Sequence, residues 1–129
     1  MESGKNSRGE LGRLGEDIAC RYLENLGHTI LERNWRWGHL EIDIISFDAE
    51  GIHFVEVKTR RDSIQAPPQE SVDWKKQQRI ARAAQGFLRS GKGSPYGSHE
   101  CMFDIMAVTF KGEKHRLDWF PQAFIPIYI

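Results

Sequence analysis

Few stretches commit a chain as firmly as Leu40 to Arg61, LEIDIISFDAEGIHFVEVKTRR. LEIDIISF and IHFVEVKT alternate with a period of two and are rich in Ile, Val and Phe. DAEG between them supplies a four-residue turn ending in Gly, so the segment reads as a β-hairpin. Pairing Phe47 with Ile52 brings Ile45 opposite Phe54, Asp43 opposite Glu56 and Glu41 opposite Lys58. Three acids and one lysine then share a face, and Ile42, Ile44, Val55 and Val57 form the other.

Opposed like charges destabilise a sheet, because cross-strand Cβ atoms lie only ~4.5–5.5 Å apart. A bound cation removes the conflict. Asp43 and Glu56 are placed to hold a hard ion such as Mg2+, with Mn2+ as the alternative, which takes one or two carboxylates and keeps waters and substrate phosphate as its other ligands. Lys58, on the same face, is placed to position or help deprotonate the attacking water. Ile45 and Phe54 predict that this face is covered near the turn, leaving the acids in a cleft at its margin. The alternative is an amphipathic hairpin with one solvated face.

A chain of 129 residues suits one domain, and 40% apolar with 28% charged residues is ordinary for a globular protein. No apolar run approaches the ~20 residues of a membrane span, and MESGKNSRGE lacks the apolar segment of a signal peptide, so a cytoplasmic protein with no membrane partner is expected. Cys20 and Cys101 lack C-x-x-C spacing and read as reduced core residues. The five histidines are scattered, with His39 at a strand end. Net charge is zero but unevenly spread: residues 57–99 hold three acids and nine bases, and no acid lies between Asp73 and Glu100. That segment offers a positive surface of the kind phosphate backbones bind.

Residues 1–8 read as a flexible N-terminus, and 9–129 as the single domain. From about Gly9 to Leu26 the periodicity is helical, with Leu11, Leu14, Ile18, Tyr22 and Leu26 as the inward row and Gly27 as the cap. Beside it runs a second row, Gly12, Glu16, Ala19 and Leu23, in which Glu16 is either a boundary carboxylate paired with an arginine or a third acid facing the hairpin. Gly12 and Gly15 suggest close approach to another backbone. His28–Trp35 reads as a first strand, and Pro67-Pro68 keeps the loop from Arg60 to Gln69 non-helical.

A second helix is expected from Ser71, as N-cap, to about Ser90. Its inward row is Val72, Lys76, Ile80, Ala83 and Phe87, with Lys76 reaching toward the cleft. Lys75, Arg79, Arg82 and Arg89 face outward; Arg60, Lys75, Lys76, Arg79 and Arg82 are the candidate nucleic-acid contacts, and a solvated basic face is the alternative. CMFDIMAVTF and KHRLDWF read as two last strands, Asp104 within the first needs a hydrogen bond or ion pair, and Gln122–Ile129 is an apolar tail.

The order helix, three strands, helix, strands, with Asp43 and Glu56-Val57-Lys58 on the central hairpin, resembles the PD-(D/E)xK nuclease superfamily. Its core is a restriction-endonuclease-like αβββαβ unit, an α/β fold with a central mixed sheet flanked by helices. More closely, GRLGEDIACRYLENLGHTILERN, LEIDII, FVEVKTR, the P-x-E-S-V-x-x-x-K-x-x-R stretch and MFDIMAV resemble the YraN-like family of small uncharacterised proteins, over roughly residues 9 to 124. That family is regarded as similar to archaeal Holliday junction resolvases.

The resemblance implies Mg2+-dependent, structure-selective cleavage of DNA by a catalytic trio of Asp43, Glu56 and Lys58. The Val57 carbonyl and Glu16 are implied as further metal ligands, and Glu16 and Glu41 as assisting acids. Leu40 stands where the family usually has Gly, and Met102 where an Arg commonly precedes Phe-Asp. Neither touches the trio. A homodimer is compatible with the neutral surface and apolar tail. The runner-up function is a nucleic-acid-binding or partner-binding protein that keeps the fold without cleaving.

Overall fold

The computed structural model describes residues 4–62 and 72–125. Helix α1 spans Gly4–Asn25, beginning before the expected Gly9. Gly27, at φ 99°, takes the left-handed conformation that ends it, as expected from its position. Strands follow at β1 (Thr29–Trp37), β2 (Leu40–Asp48) and β3 (Gly51–Arg61), then α2 (Trp74–Arg89), a short 3-10 turn at Ser94–Tyr96, β4 (Cys101–Lys111) and β5 (Lys114–Phe120). The N-cap of α2 is Asp73, whose carboxylate accepts the Lys76 N–H at 2.9 Å. Ser71 and the Pro67-Pro68 pair lie outside the described residues.

The five strands form one sheet in the order β1-β2-β3-β4-β5. Neighbours are antiparallel except β3 and β4, whose parallel pairing needs a crossover, which α2 supplies. The result is an α/β fold with a mixed sheet between two helices, consistent with a restriction-endonuclease-like core. Among the described residues no helix is long and apolar enough to cross a membrane.

Each sheet face buries its own apolar set. Toward α2 lie Ile45, Ile52, Phe54, Phe103 and Ile105, packed on Ile80, Ala83, Ala84 and Phe87. Toward α1 lie Ile44, Val55 and Met106, packed on Ala19, Cys20 and Leu23. The inward row of α1 is therefore Gly15, Ala19, Cys20 and Leu23, and the expected row is corrected: Leu14, Tyr22 and Leu26 are exposed. The cause is close approach. A Cβ on Gly15 would collide with the Thr59 side chain of β3, so at that position no side chain fits between helix and sheet. Cys20 is buried and Cys101 half-buried, and both are free thiols.

Ser46, His53 and Asp104 are also buried, on the side of α1, and satisfy one another through a network with His28 and Asp48. Burying polar groups in this way is tolerable only with such partners. His53 gives Asp104 the partner its strand position requires, at 2.7 Å.

Candidate functional site

The β2–β3 register runs Phe47↔Ile52, Ile45↔Phe54 and Ile44↔Val55, as the sequence predicts, and extends to Asp48↔Gly51, so the turn is tighter than expected. Beyond Ile44↔Val55 the ladder stops. On its other side β2 pairs with β1 at Arg33↔Ile44 and at Trp35↔Ile42, and no pair forms at Asn34 and Asp43 between them. Asn34 has left-handed backbone there, at φ 51°. Asp43 is thus released from both ladders, and the expected Asp43/Glu56 and Glu41/Lys58 strand pairs do not form. The same break resets the alternation of β2. Ile42 joins Ile45 on the side of α2 while Ile44 faces α1, instead of both sharing one face.

Release from the ladder gives the Asp43 carboxylate a different job. Its Oδ2 accepts the Val57 N–H at 2.8 Å, replacing the backbone carbonyl that a continued ladder would have offered. Burial and then the neighbouring Glu56 charge push the Asp43 carboxyl up to about 7, against the Val57 hydrogen bond; Glu16 and Glu41 add to the rise. Three other acids therefore influence this one carboxyl group. Glu41 itself sits in register with Arg36 of β1.

Glu56 is buried, and its Oε2 meets two lysines: Lys76 Nζ at 3.3 Å and Lys58 Nζ at 3.8 Å. Lys76, the polar start of the inward row of α2, does reach into the cleft. Glu16 takes the first of its two roles, with Oε1 3.7 Å from Arg33, whose closer partner is Asp17 at 2.8 Å. It does not join Asp43 and Glu56 in a close trio of oxygens. Among the described residues the three metal-capable side chains that do meet, with donor atoms within 4.8 Å of one another, are His28, Asp48 and His53.

Asp43 and Glu56 offer hard oxygen donors whose mutual repulsion a divalent cation would relieve. Mg2+ commonly takes only one or two protein carboxylates, so the retreat of Glu16 leaves a sufficient donor set. In that set the second Asp43 oxygen, one Glu56 oxygen and the Val57 carbonyl could serve as ligands.

Lys75, Arg79, Arg82 and Arg89 are exposed on the outward side of α2. Lys75, Arg79 and Arg82, with Trp74 and Gln78, line an open recess of about 450 Å3. Trp74 is 56% exposed. Arg60 lies on β3, two residues beyond Lys58, in register with Thr109 of β4. Leu40 packs at the edge of the α2-side core and Met102 is buried, so both departures from the family pattern are apolar packing positions. His39 lies in the turn between β1 and β2.

The histidine network escaped sequence reasoning. A usable signal existed in His53, a polar residue on the same side of β3 as Val55 and Val57, where burial demands a partner. Its partners, five and fifty-one positions away, follow no spacing rule.

A model of the uncharacterised protein family UPF0102 matches residues 15–108. A UPF0102 protein from Stutzerimonas stutzeri is 38% identical over 113 residues, covering 88% of this chain and 92% of the relative. One from Bacteroides thetaiotaomicron is 38% identical over 117 residues, covering 91% and 93%. Another, from Chlorobaculum tepidum, is 48% identical over 98 residues, covering 76% and 74%. With the model spanning most of the chain and these relatives aligned over most of both partners, the chain belongs to the UPF0102 family, the YraN-like family its motifs resemble.

Proposed function

We propose that this protein is a Mg2+-dependent DNA endonuclease, with branched DNA as its preferred substrate. The observation that carries the reading is Asp43, freed from both strand ladders, buried and within the field of the Glu56 charge, with Lys58 and Lys76 at the Glu56 carboxylate. The resemblance of the motif order to the PD-(D/E)xK superfamily supports the same reading.

Asp43 and Glu56 would hold the ion, with the Val57 carbonyl as a further ligand. Bound there, Mg2+ would supply Lewis acidity at the scissile phosphate and lower the pKa of its water. Val57 N–H fixes one Asp43 oxygen and so orients the other. Lys76 steadies Glu56, which leaves Lys58, the more distant of the two lysines from that carboxylate, to orient the attacking water and meet the charge that develops on phosphate. Glu16 and Glu41 keep the cleft negative and cation-seeking. Arg60, Lys75, Arg79 and Arg82 follow the DNA backbone, and Trp74 gives an unstacked base a surface to lie on. Symmetric cleavage of two strands calls for two such sites, hence a homodimer.

The test uses four-way junction, flapped and linear DNA with Mg2+, with Mn2+, and with EDTA. Metal-dependent nicking should favour the branched substrates, vanish in Asp43→Ala, and fall by about two to three orders of magnitude in Lys58→Ala, the scale of losing one preorganised electrostatic donor. A folded wild-type protein that binds junctions but leaves every substrate intact would establish the non-cleaving, DNA-binding reading instead. Undiminished cleavage by Lys58→Ala would remove this lysine from the mechanism.

A further inference from the structure

We propose that His28, Asp48 and His53 form a transition-metal site of the Zn2+ class at the turn end of the β2–β3 hairpin, separate from the acidic cleft. The three donors come from different places in the chain: the residue before β1, the last residue of β2 and the third residue of β3. His53 and Glu56 are three residues apart on β3, so the two sites are separated by about 10 Å of strand and lie on opposite faces of the sheet.

Distances favour coordination. Asp48 presents one oxygen to each ring, Oδ2 at 3.2 Å from His28 Nε2 and Oδ1 at 2.9 Å from His53 Nε2. Ligands arranged tetrahedrally around Zn2+, at ~2.0–2.2 Å from the ion, are separated from one another by about 3.3 Å. The donors therefore stand near the spacing that the ion needs, and small side-chain adjustments suffice to admit it.

The remaining ring nitrogens are held as they are around metal-binding histidines, which use the second nitrogen to fix the orientation of the first. His28 Nδ1 lies 2.9 Å from Ser46 Oγ, and His53 Nδ1 lies 2.7 Å from Asp104 Oδ2. Asp104 is anchored in turn. The Gln122 N–H donates to its Oδ1 at 2.9 Å and Trp119 Nε1–H to its Oδ2 at 3.4 Å. Trp119 also lies edge-on to His28, with ring centroids 6.0 Å apart, and forms part of the apolar wall.

Two imidazoles and one carboxylate select a borderline cation over Mg2+, which prefers an all-oxygen shell. Both rings are almost fully buried, whereas the Asp48 side chain is 19% exposed. Access is therefore from the turn, and a water completes the coordination from that side. With no cation bound, protons on the two Nε2 atoms bridge to Asp48. Metal binding exchanges the proton on His53 Nε2 for the ion, releases that proton to solvent, and shifts the His28 proton to Nδ1, where Ser46 Oγ accepts it. The site then ties the end of α1 to the hairpin turn.

The probe is Zn2+ or Co2+ alone, added to untagged, chelator-treated full-length protein in millimolar Mg2+, which occupies oxygen-donor sites. Equilibrium dialysis with elemental analysis should give one Zn2+ per chain, and Co2+ should produce visible ligand-field bands. At a hundredfold excess over Kd, Zn2+ should raise the melting temperature on the order of 10 °C. Asp48→Asn and His53→Gln, checked for folding by circular dichroism, should each weaken binding at least tenfold. Wild-type protein that takes up no Zn2+ at micromolar free concentration, or folded variants that retain wild-type affinity, would overturn the assignment. The wild-type measurement decides the question even if a variant fails to fold.

Discussion

Asp43 shows what one residue costs a strand and what it makes available. Its carboxyl is pushed up to about 7, chiefly by burial and by Glu56, so the folded state holds a proton there more tightly than the unfolded chain does. The favourable contribution is full below the unfolded value near 4 and is lost as pH rises through about 7. In EDTA, Asp43→Asn keeps an acceptor for the Val57 N–H and removes the charge. The variant should therefore melt several degrees above wild type at pH 8, with the difference shrinking toward pH 4. Thermal unfolding of both proteins across this range reads the effect of Asp43 and its coupling to Glu56, because the carboxylates remote from Asp43 cancel. Mg2+ should raise the wild-type melting temperature at pH 8 and leave that of the variant nearly unchanged. A variant less stable than wild type at pH 8 would show that the Asp43 charge is not a burden on the fold.

At the level of elements, β2 is one strand in extent and two by side-chain parity. Its interruption lies opposite the left-handed Asn34 of β1, where Ile42 and Ile44 part to opposite sheet faces. Helix α2 has a clean division, with Ile80, Ala83, Ala84 and Phe87 inward and Lys75, Arg79 and Arg82 outward. If that outer row contacts phosphates, DNA affinity should fall steeply with salt, and Arg79→Ala combined with Arg82→Ala should reduce the slope of log K against log salt by about two. Binding titrations at several salt concentrations measure it. An unchanged slope would move the DNA surface away from α2.

Over the whole molecule, the central strands β2, β3 and β4 are buried on both faces, and Phe54 ties the centre of the sheet to both α2 and β4. Its ring stacks on Phe103 at 5.4 Å and meets Phe87 edge-on at 6.3 Å. Phe54→Ala should therefore destabilise the fold by about 3–5 kcal/mol, read from urea unfolding. Because Glu56 follows two residues later on the same face, the same variant should also loosen the cleft. A loss below about 1 kcal/mol would mean that this core is not shared between the elements.

What the sequence determined alone was local: the register from Phe47↔Ile52 to Ile44↔Val55, the α/β order of elements, the helix end at Gly27 and the outward basic row of α2. Each follows from a period of 2.0 or 3.6 residues or from a turn residue, all set by neighbours in the chain. Tertiary packing decided the rest. Which row of α1 faces inward depended on how closely Gly15 approaches Thr59, a distance no periodicity encodes. The break at Asp43 required β1 and β3 to disengage from β2 at the same point. The meeting of His28 and Asp104 with the hairpin residues Asp48 and His53 joins three separate parts of the chain through contacts that no local period encodes.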